Sequence, residues 1–421
     1  MLIIFYNFLI FLFYIPYIFL ILFRRFLKKE HQTKYKEKIF SKDIERPKGF
    51  LLWFHAASIG ELKSIFPLID FYLKKNPNYN ILITTVTLSS FYEFEKKYGS
   101  NKRVFHQFMP YDFKFLINNF LNNWKPDVVS FVDSEIWPNF IIKLKQEKVP
   151  LVLLNARISK KSFSRWRAFQ NSSEKIFSSF SLCISSNTET ANYLKILGAQ
   201  NIKFFGNIKF CSSIKSDVSE NSQFNKVLNR KIWCALSTHE NEEVLSGTTH
   251  IKVRKTVSDI LTIIIPRHIN RIKEIYSNLK DLGLKVQIKN EKDEINHSSD
   301  VVLVNYYGSV NKYLRNIDQV FIGKSILKKF ENTGGQNPID AAKFGCHIYH
   351  GPYVYNFEDI YNYLGVSNIS EKIENIDVLV EKLKNNFSKN LKKDNDKINK
   401  INNFSNEIFQ KIILEYNGYV K

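Results

Sequence analysis

The sequence is poor in the residues that mark several whole classes of protein. Its 421 residues include 15 glycines, 11 prolines and 4 cysteines, too few for a collagen-like, low-complexity or disulfide-framework chain. The cysteines are far apart and form no C-x-x-C pair, which argues against a zinc ribbon or thioredoxin-like site and favours a reducing, cytosol-facing location. No G-x-G-x-x-G follows a predicted strand, and FIGKS at 321–325 lacks the first glycine of a P-loop. The sequence therefore has neither a mononucleotide P-loop nor a dinucleotide fingerprint.

Acidic residues are also scarce relative to basic ones. Lys and Arg number 61 against 40 Asp and Glu, which gives a formal net charge of +21. This excess favours an anionic partner, whether a phosphate-bearing substrate, a nucleic acid or an acidic lipid surface. A membrane-tethered nucleic-acid-binding protein is one hypothesis, but the sequence has no helix-turn-helix, RNP or zinc-finger pattern, and its basic residues are spread rather than striped. We therefore expect no nucleic-acid partner.

The N-terminal segment is the longest apolar run in the chain. Residues 1–23 are almost wholly apolar, and about 20 such residues are enough to cross the hydrocarbon core of a bilayer. Arg24 and Arg25 follow at once, which places the remainder of the chain in the cytoplasm by the positive-inside bias, and no small-residue cleavage site is present. Several tyrosines and Pro16 are equally typical of a helix that lies in the membrane surface. We interpret residues 1–27 as a membrane anchor that either spans the bilayer or lies on it.

From residue 50 onward, short apolar runs alternate with amphipathic stretches. After Glu61 the apolar residues recur every three or four positions, which predicts a helix with one buried face. Strand and helix alternating at this length predict an α/β fold with parallel sheets, right-handed crossovers and a doubly wound topology. The alternation pauses once and then resumes, so two such domains are expected, with ligands bound in a cleft at their strand ends. The predicted segments after the anchor are a first domain at 28–212, a linker at 213–229, a second domain at 230–385 and a helical tail at 386–421.

Reactive side chains follow the predicted strands of the first domain. Ser58-x-x-Glu61 is the pattern of a helix capping box, and a carboxylate held ionised at a helix N-terminus is also a candidate general base. Asp133 and Glu135 follow another strand, where they either cap the next helix or face a ligand. Lys209 adds a cation at a further strand end. Both interpretations of each carboxylate stay open at this point.

The second domain has cations and a glycine turn in comparable positions. Arg267 and His268 directly follow a predicted strand, where they suit the phosphate of a nucleotide. His239 ends the preceding strand. Gly334-Gly335 opens a predicted helix whose free N–H groups can bind a phosphate while Asp340 accepts from a sugar hydroxyl. The alternative is a tight loop with a helix cap and no ligand.

Together these motifs resemble one family, the 3-deoxy-D-manno-octulosonic acid (Kdo) transferases, which transfer Kdo from CMP-Kdo to the lipid A precursor. The resemblance implies the GT-B architecture, in which two Rossmann-like domains face a cleft, the first binding the acceptor and the second the nucleotide sugar. The matching strings occur in family order over nearly the whole chain: HAASIGE, TTVT, PYD, SEIWPN, NARIS, GNIKF, STHENEE, PRH, FIGKS, GGQNPIDAA and GPYVYNF.

The resemblance also implies roles for individual residues. Glu61 matches the family's general base, and Asp133 and Lys209 fall where the family has residues that stabilise the transition state. The positions that match its CMP-binding segments are Arg267, His268, Tyr307, Gly308, Ser309, Asn337, Pro338, Ile339 and Asp340. The chain departs from the family pattern at Asp133-Ser134-Glu135, where the family has Glu-Thr-Glu, and at Gly308-Ser309, Gly323-Lys324-Ser325 and Asp340.

The function implied by the resemblance is an inverting glycosyltransferase of lipopolysaccharide core synthesis. Its expected partners are CMP-Kdo, the lipid A precursor (lipid IVA) and the anionic surface of the cell inner membrane on its cytoplasmic face. No metal ion or other cofactor is expected. A phosphorylated acceptor in an anionic membrane would account for the positive charge. A GT-B transferase that uses a different activated sugar is the alternative.

Overall fold

The structure, a computed structural model, describes residues 2–40, 45–212, 227 and 229–420. The chain forms two compact units, one made of residues 1–213 with 405–421 and the other of residues 214–404. The predicted linker at 213–229 lies almost wholly outside the described residues. The predicted tail from 386 is divided, because its last 17 residues belong to the first unit.

The first unit is built on a seven-stranded sheet flanked by helices. Its strands are β1 Phe50–His55, β2 Tyr79–Thr85, β3 Val104–Phe108, β4 Val128–Val132, β5 Leu151–Ala156, β6 Leu182–Ser185 and β7 Ile202–Phe204. Its helices are α1 Leu2–Leu12, α2 Tyr14–Phe26, α3 Ile59–Lys75, α4 Leu88–Tyr98, α5 Lys114–Trp124, α6 Pro138–Gln146, α7 Lys160–Arg167, α8 Gln170–Phe177 and α9 Thr188–Ile196. A 3-10 helix at Ile208–Cys211 follows β7.

The sheet of the first unit confirms the predicted doubly wound topology. Its order is β3-β2-β1-β4-β5-β6-β7, and every pairing between adjacent strands is parallel. The strands are apolar without alternation because helices cover both faces; Leu51 to Phe54 are fully buried, and Trp53 packs against Phe120 and Phe140. The strand order reverses between β1 and β4, so the carboxyl ends of these two strands lie side by side at the switch point where open α/β sheets bind ligands.

The second unit repeats this architecture. Its strands are β8 Lys231–Thr238, β9 Ile260–Pro266, β10 Val286–Lys289, β11 Val301–Val304, β12 Gln319–Ile322, β13 His347–His350 and β14 Ser370–Lys372. Its helices are α10 Glu242–Arg254, α11 Ile272–Asp281, α12 Val310–Leu314, α13 Ile339–Lys343, α14 Glu358–Val366, α15 Ile376–Ser388 and the first part of α16 Asn395–Asn417. The sheet order is β10-β11-β9-β8-β12-β13-β14, all parallel, with the reversal between β8 and β12.

The N-terminal apolar segment is a bent pair of helices packed on the first unit. Within the described residues, no single helix is long and apolar enough to cross a membrane; α1 and α2 reach that length and composition only as a pair, bent by 51°. The Tyr6 hydroxyl donates to Asp112 at 2.7 Å, and Tyr17 stacks on Tyr111 with ring centroids 4.3 Å apart. Ile21 is buried. One side of the pair is therefore attached to the body of the unit.

Candidate active site

Glu61 is held at the N-terminus of α3 by the predicted capping box. The Ser58 hydroxyl donates to Glu61 Oε1 at 2.8 Å, and the Ala57 N–H donates to Glu61 Oε2 at 2.8 Å. The backbone N–H of Glu61 in turn donates to Ser58 Oγ at 3.4 Å. The capping interpretation is thus confirmed, and the same bonds fix both carboxylate oxygens at the carboxyl end of β1.

The surroundings of Glu61 make its carboxylate more basic than usual. Burial raises its pKa above the ordinary 4.5, and repulsion from Asp133 and Glu135 adds to the rise, while the bonds from Ser58 and Ala57 oppose it. A carboxylate with a raised pKa is a stronger base than an ordinary carboxylate, which suits it to taking a proton from a hydroxyl.

Asp133 and Lys209 form an ion pair beside this carboxylate. Lys209 Nζ lies 3.0 Å from Asp133 Oδ2, and both side chains are mostly buried. The Asn155 amide donates to Asp133 Oδ1 at 3.1 Å, and Asn155 Oδ1 accepts from the backbone N–H of Ile208 at 3.0 Å. Asp133 and Asn155 both have positive φ, 63° and 53°, which bends the chain sharply at the ends of β4 and β5. The ends of two strands and the 3-10 helix at Ile208–Cys211 are thereby tied together.

Glu135 has a different set of partners. Its Oε2 accepts from His55 Nε2 at 3.2 Å and from the Trp137 indole N–H at 2.8 Å. Burial would raise the pKa of Glu135, but the bonds and the charge interaction with His55 outweigh it and lower the pKa. Glu135 is therefore held ionised next to the fully buried His55 at the end of β1.

Neither Asp133 nor Glu135 caps α6, so that interpretation is wrong. The helix begins after Trp137, which makes no side-chain cap. The carboxylate of Asp112 accepts from the backbone N–H groups of Asn139 and Phe140 at 3.0 and 3.2 Å instead. Because a more distant loop supplies the cap, Asp133 and Glu135 are left at the strand end beside Glu61.

In the second unit, cations gather around His239 at the end of β8. Burial, together with the nearby positive charges of Lys324, His268 and Arg267, lowers the pKa of His239 to about 4, and burial is the largest of these causes. The His239 and His268 rings meet edge to face at 5.4 Å. His239 is therefore neutral at physiological pH, and the surrounding positive charge makes this strand edge a favourable place for an anion.

A buried carboxylate positions the Lys324 loop in this cluster. Glu242, the first residue of α10, accepts from the backbone N–H groups of His239, Lys324 and Ser325 at 3.0, 2.6 and 3.0 Å. Gly323 is required here because a Cβ would lie 2.8 Å from Glu242 Oε2 and 2.7 Å from Ser237 O. The FIGKS segment is thus a close-packed turn whose backbone N–H groups bond the Glu242 carboxylate.

The glycine turn reaches the same cluster through one side chain. The Gln336 amide donates to His239 Nε2 at 3.0 Å, and Gly335, with φ of 92°, donates its N–H to Lys324 O at 2.7 Å. Asn337 is exposed, Pro338 and Ile339 are buried, and Asp340 lies half-buried in the first turn of α13. α13 has five residues, so the helix-dipole part of the phosphate prediction is weaker than the sequence indicated.

The remaining predicted nucleotide residues follow β11. Tyr307 is 70% exposed, Gly308 has φ of 79°, and Ser309 is buried at the start of α12. Since β11 pairs with β9 in parallel, this turn lies at the same sheet edge as Arg267 and His268. No contact between the two segments is described for residues 229–420. Gln336, His268 and Arg267 thus lie around His239. Residues 307–309 lie further along the same sheet edge.

Several residues of the site were missed from the sequence. Asp112, Asn155 and Glu242 each accept or donate bonds that orient a loop, and each lies inside a matched string, PYD, NARIS or STHENEE. That position is the only signal that pointed to them. In the described part of the chain, no group of three His, Cys, Asp or Glu side chains is arranged to hold a metal ion.

Known proteins resemble this chain over most of its length. A family model described as 3-deoxy-D-manno-octulosonic-acid transferase (kdotransferase) matches residues 22–212. A probable mitochondrial 3-deoxy-D-manno-octulosonic acid transferase of Arabidopsis thaliana is 30% identical over 83% of this chain and 81% of its own. The transferase of Rickettsia bellii is 32% identical over 82% of both chains.

A solved structure shares the fold. A glycosyltransferase from Rickettsia africae superposes with a TM-score of 0.56 at 13% identity, covering 89% of this chain and all of that one. Similarity at that level of identity concerns the fold alone, and it agrees with the two doubly wound units of a GT-B protein. With the identity to the curated relatives, the chain belongs to the 3-deoxy-D-manno-octulosonic acid (Kdo) transferase family of glycosyltransferases.

Proposed function

We propose that this chain transfers Kdo from CMP-Kdo to the lipid A precursor with inversion at the anomeric carbon. Membership of the transferase family supports the reaction class. The observation that carries the assignment is the position of Glu61: a partly buried carboxylate of raised pKa at the ligand edge of the first sheet. Such a group serves as a general base for a hydroxyl nucleophile.

The reaction balances with Glu61 as the proton acceptor. The acceptor hydroxyl loses its proton to Glu61 as its oxygen bonds to the anomeric carbon of Kdo, and the bond from that carbon to the CMP phosphate oxygen breaks. The electron pair leaves with CMP. Lys209 is paired with Asp133 at 3.0 Å. Its positive charge stabilises the negative charge that develops in the transition state, and Asp133 holds the ammonium group in place.

For the donor, we assign the phosphate of CMP to the cations of the second unit. Arg267, His268 and Lys324 all act on the pKa of His239, so they lie within electrostatic range of one point. The charge-assisted bonds that Arg makes to phosphate are among the stronger hydrogen bonds in proteins. Asp340 and the turn at 307–309 are assigned to the rest of the nucleotide from the resemblance.

We also propose that α1 and α2 attach the protein to the cytoplasmic face of the inner membrane by lying in the membrane surface. One side is bonded to the body through Tyr6 and Tyr17, which a bilayer-spanning helix would have to give up. Large apolar side chains remain exposed elsewhere on the pair: Ile4, Phe5, Phe8, Phe11, Ile15, Phe19, Phe23 and Phe26. A docked helix with an exposed apolar side is typical of monotopic attachment.

Transfer is tested with CMP-Kdo and lipid IVA in detergent, followed by mass analysis of the lipid. A mass increase of one or more Kdo units is expected. Transfer from another nucleotide sugar and none from CMP-Kdo would replace this proposal by the alternative donor.

Attachment is tested by flotation with vesicles. The triple variant Phe5→Ser, Phe8→Ser, Phe19→Ser should lose vesicle binding, and the control Phe169→Ser, Val366→Ser, Leu414→Ser, which changes exposed apolar residues outside α1 and α2, should keep it. An N-terminal tag should be cut by protease added to the cytoplasmic side. A tag that is cut only from the opposite side would show that the segment spans.

A further inference from the structure

A pocket in the first unit is lined by residues other than the catalytic residues assigned above. It is an open pocket lined by α1, α5, α6 and α8, and its volume of about 350 Å³ is within the size range of small-molecule sites. Three lysines line it, one from each of three helices: Lys114, Lys143 and Lys175. Among the described residues that line the pocket there is no Asp or Glu. The pocket therefore favours an anion.

The charges of these lysines are largely available to a ligand. Lys143 is paired with Glu147 at 3.1 Å, but both side chains are about one-third exposed and lie four residues apart on one helix, an arrangement of little net strength. Lys114 and Lys175 are exposed, and no carboxylate within the described ranges forms an ion pair with either. A phosphate in the pocket would gain three cations for the loss of one weak pair.

The rest of the lining is mixed in character. Ile3, Ile117 and Ile142 supply apolar surface, and Asn7, Asn118 and Gln146 supply side-chain amides. Asn118 and Gln146 are exposed and Asn7 is partly exposed, so a ligand can replace the water at these amides, whereas a fourth lining amide, Asn139, already donates to Asp112 O at 2.7 Å. The ligand should therefore carry hydroxyl or ester oxygens and an apolar part in addition to its negative charge.

The position of α1 indicates that such a ligand is a membrane lipid. Ile3 and Asn7 of α1 line the pocket, while Ile4, Phe5 and Phe8 of the same helix are more than half exposed. This inference rests on the proposal above that α1 lies in the membrane surface. In that position the pocket lies at the depth of the lipid headgroups.

We propose that this pocket binds the headgroup of an anionic membrane phospholipid. The lysines bind the phosphate, the amides bind the glycerol and ester oxygens, and the isoleucines contact the first methylenes of the chains. Inorganic phosphate would use only the lysines. The bound lipid would join α1 to α5, α6 and α8 and orient the first unit on the membrane.

The binding experiment uses the full-length protein in neutral detergent, titrated with dihexanoyl phosphatidylglycerol, dihexanoyl phosphatidylcholine or inorganic phosphate. We expect saturable binding of one phosphatidylglycerol, at least tenfold tighter than either of the others. Equal affinity for inorganic phosphate would reject a lipid site, and equal affinity for phosphatidylcholine would reject an anion site.

Two variants and a charge-matched control locate the site. Lys114→Gln, Lys143→Gln, Lys175→Gln should weaken phosphatidylglycerol binding at least tenfold. Lys74→Gln, Lys96→Gln, Lys102→Gln removes the same charge from exposed lysines elsewhere in the unit and should change it less than twofold. Asn118→Trp keeps every charge and fills the pocket, so it should also abolish saturable binding. An equal loss in the control would show a general field effect and overturn the proposal.

Failure of this inference can be told from failure of the proposed function. The pocket variants should keep Kdo transfer to detergent-dispersed acceptor, because Glu61, Asp133 and Lys209 are unchanged in them. Normal transfer without saturable lipid binding would reject the pocket alone. Competition between lipid IVA and phosphatidylglycerol at this pocket would make it an acceptor site and reject the phospholipid.

Discussion

At the scale of single residues, Glu61 has both a structural and a proposed chemical role, and two substitutions separate them. Glu61→Gln keeps the side-chain shape but cannot take a proton, so transfer should fall by about 10²–10⁴-fold, the usual effect of losing a general base. CMP binding should be unchanged. The measurement is initial rate with calorimetric titration of CMP, with Glu95→Gln on the exposed surface of α4 as the control. Near-normal turnover would contradict the assignment of the base.

Ser58→Ala tests the same site through pH. The Ser58 hydroxyl donates to Glu61 and holds its pKa down against burial, so removing it should raise that pKa further. Because the base works only when ionised, the acid side of the rate profile should move to higher pH, while the rate at high pH is largely kept. The capping box is also lost, at about 1 kcal/mol of stability. A loss of stability without any shift of the pH–rate profile would show that Glu61 only caps the helix and is not the general base.

Asp340→Asn tests the proposed nucleotide contact. A carboxylate that accepts from ribose hydroxyls should contribute about 1.5–3 kcal/mol to the binding of both CMP and CMP-Kdo, the range for a hydrogen bond to a charged group. Acceptor affinity should not change. If titration shows unaltered CMP affinity and the melting temperature is lowered, Asp340 acts only on α13 and the nucleotide is held by the cations around His239.

At the scale of elements, Asp112 connects the N-terminal helices to α6. Its carboxylate accepts from Tyr6 of α1 and from two backbone N–H groups of α6, and burial raises its pKa from 3.8 to about 7. The folded state therefore binds this proton more tightly than the unfolded state. The resulting stability is fully present below pH 3.8, is lost as pH rises through about 7, and is absent above that.

Asp112→Asn should remove this pH dependence. Relative to the variant, the wild type should lose melting temperature between pH 5 and pH 8, and Tyr6→Phe should extend the loss to higher pH because its hydroxyl bond favours the carboxylate. Hydrogen exchange of the α1 and α6 amides locates the effect. A constant difference between wild type and Asp112→Asn across this range would mean that Asp112 is already ionised in the folded protein.

At the scale of the whole molecule, the chain leaves the first unit and returns to it at the C-terminus. Tyr416 of α16 is fully buried, stacks on Phe54 and shares a 2.6 Å hydrogen bond with Ser130. Tyr416→Ala should destabilise the first unit by about 3–5 kcal/mol, the usual cost of deleting a buried aromatic ring.

Hydrogen exchange provides the measurement for Tyr416→Ala. Protection should fall in β1 and β4, which carry Phe54 and Ser130, while β8 and β9 of the other unit keep theirs. Leu414→Ala, at a residue 75% exposed on the same helix, is the control and should have little effect. Equal loss of protection in both units would show that they unfold as one.

The sequence by itself determined the features that depend on neighbours along the chain. The apolar strand runs and the three- and four-residue spacing of helices gave the doubly wound sheets, since side-chain periodicity is a local property. Ser58 and Glu61 formed the capping box at their expected spacing. The short matching strings, in their order along the chain, indicated the family, because each string is a local run of residues that can be recognised without knowing the fold.

Only the tertiary structure decided the partners that are distant along the chain. Nothing local shows that Asp112, rather than Asp133 or Glu135, caps α6, or that Glu135 pairs with His55 eighty residues earlier. These choices depend on which strands lie side by side, and the same holds for the docking of the apolar N-terminus on Asp112 and Tyr111. The hydrophobic effect drives such a segment out of water, but it does not determine which surface the segment packs on, because the effect is non-directional. The hydrogen bonds and ring contacts of the folded body specify that surface.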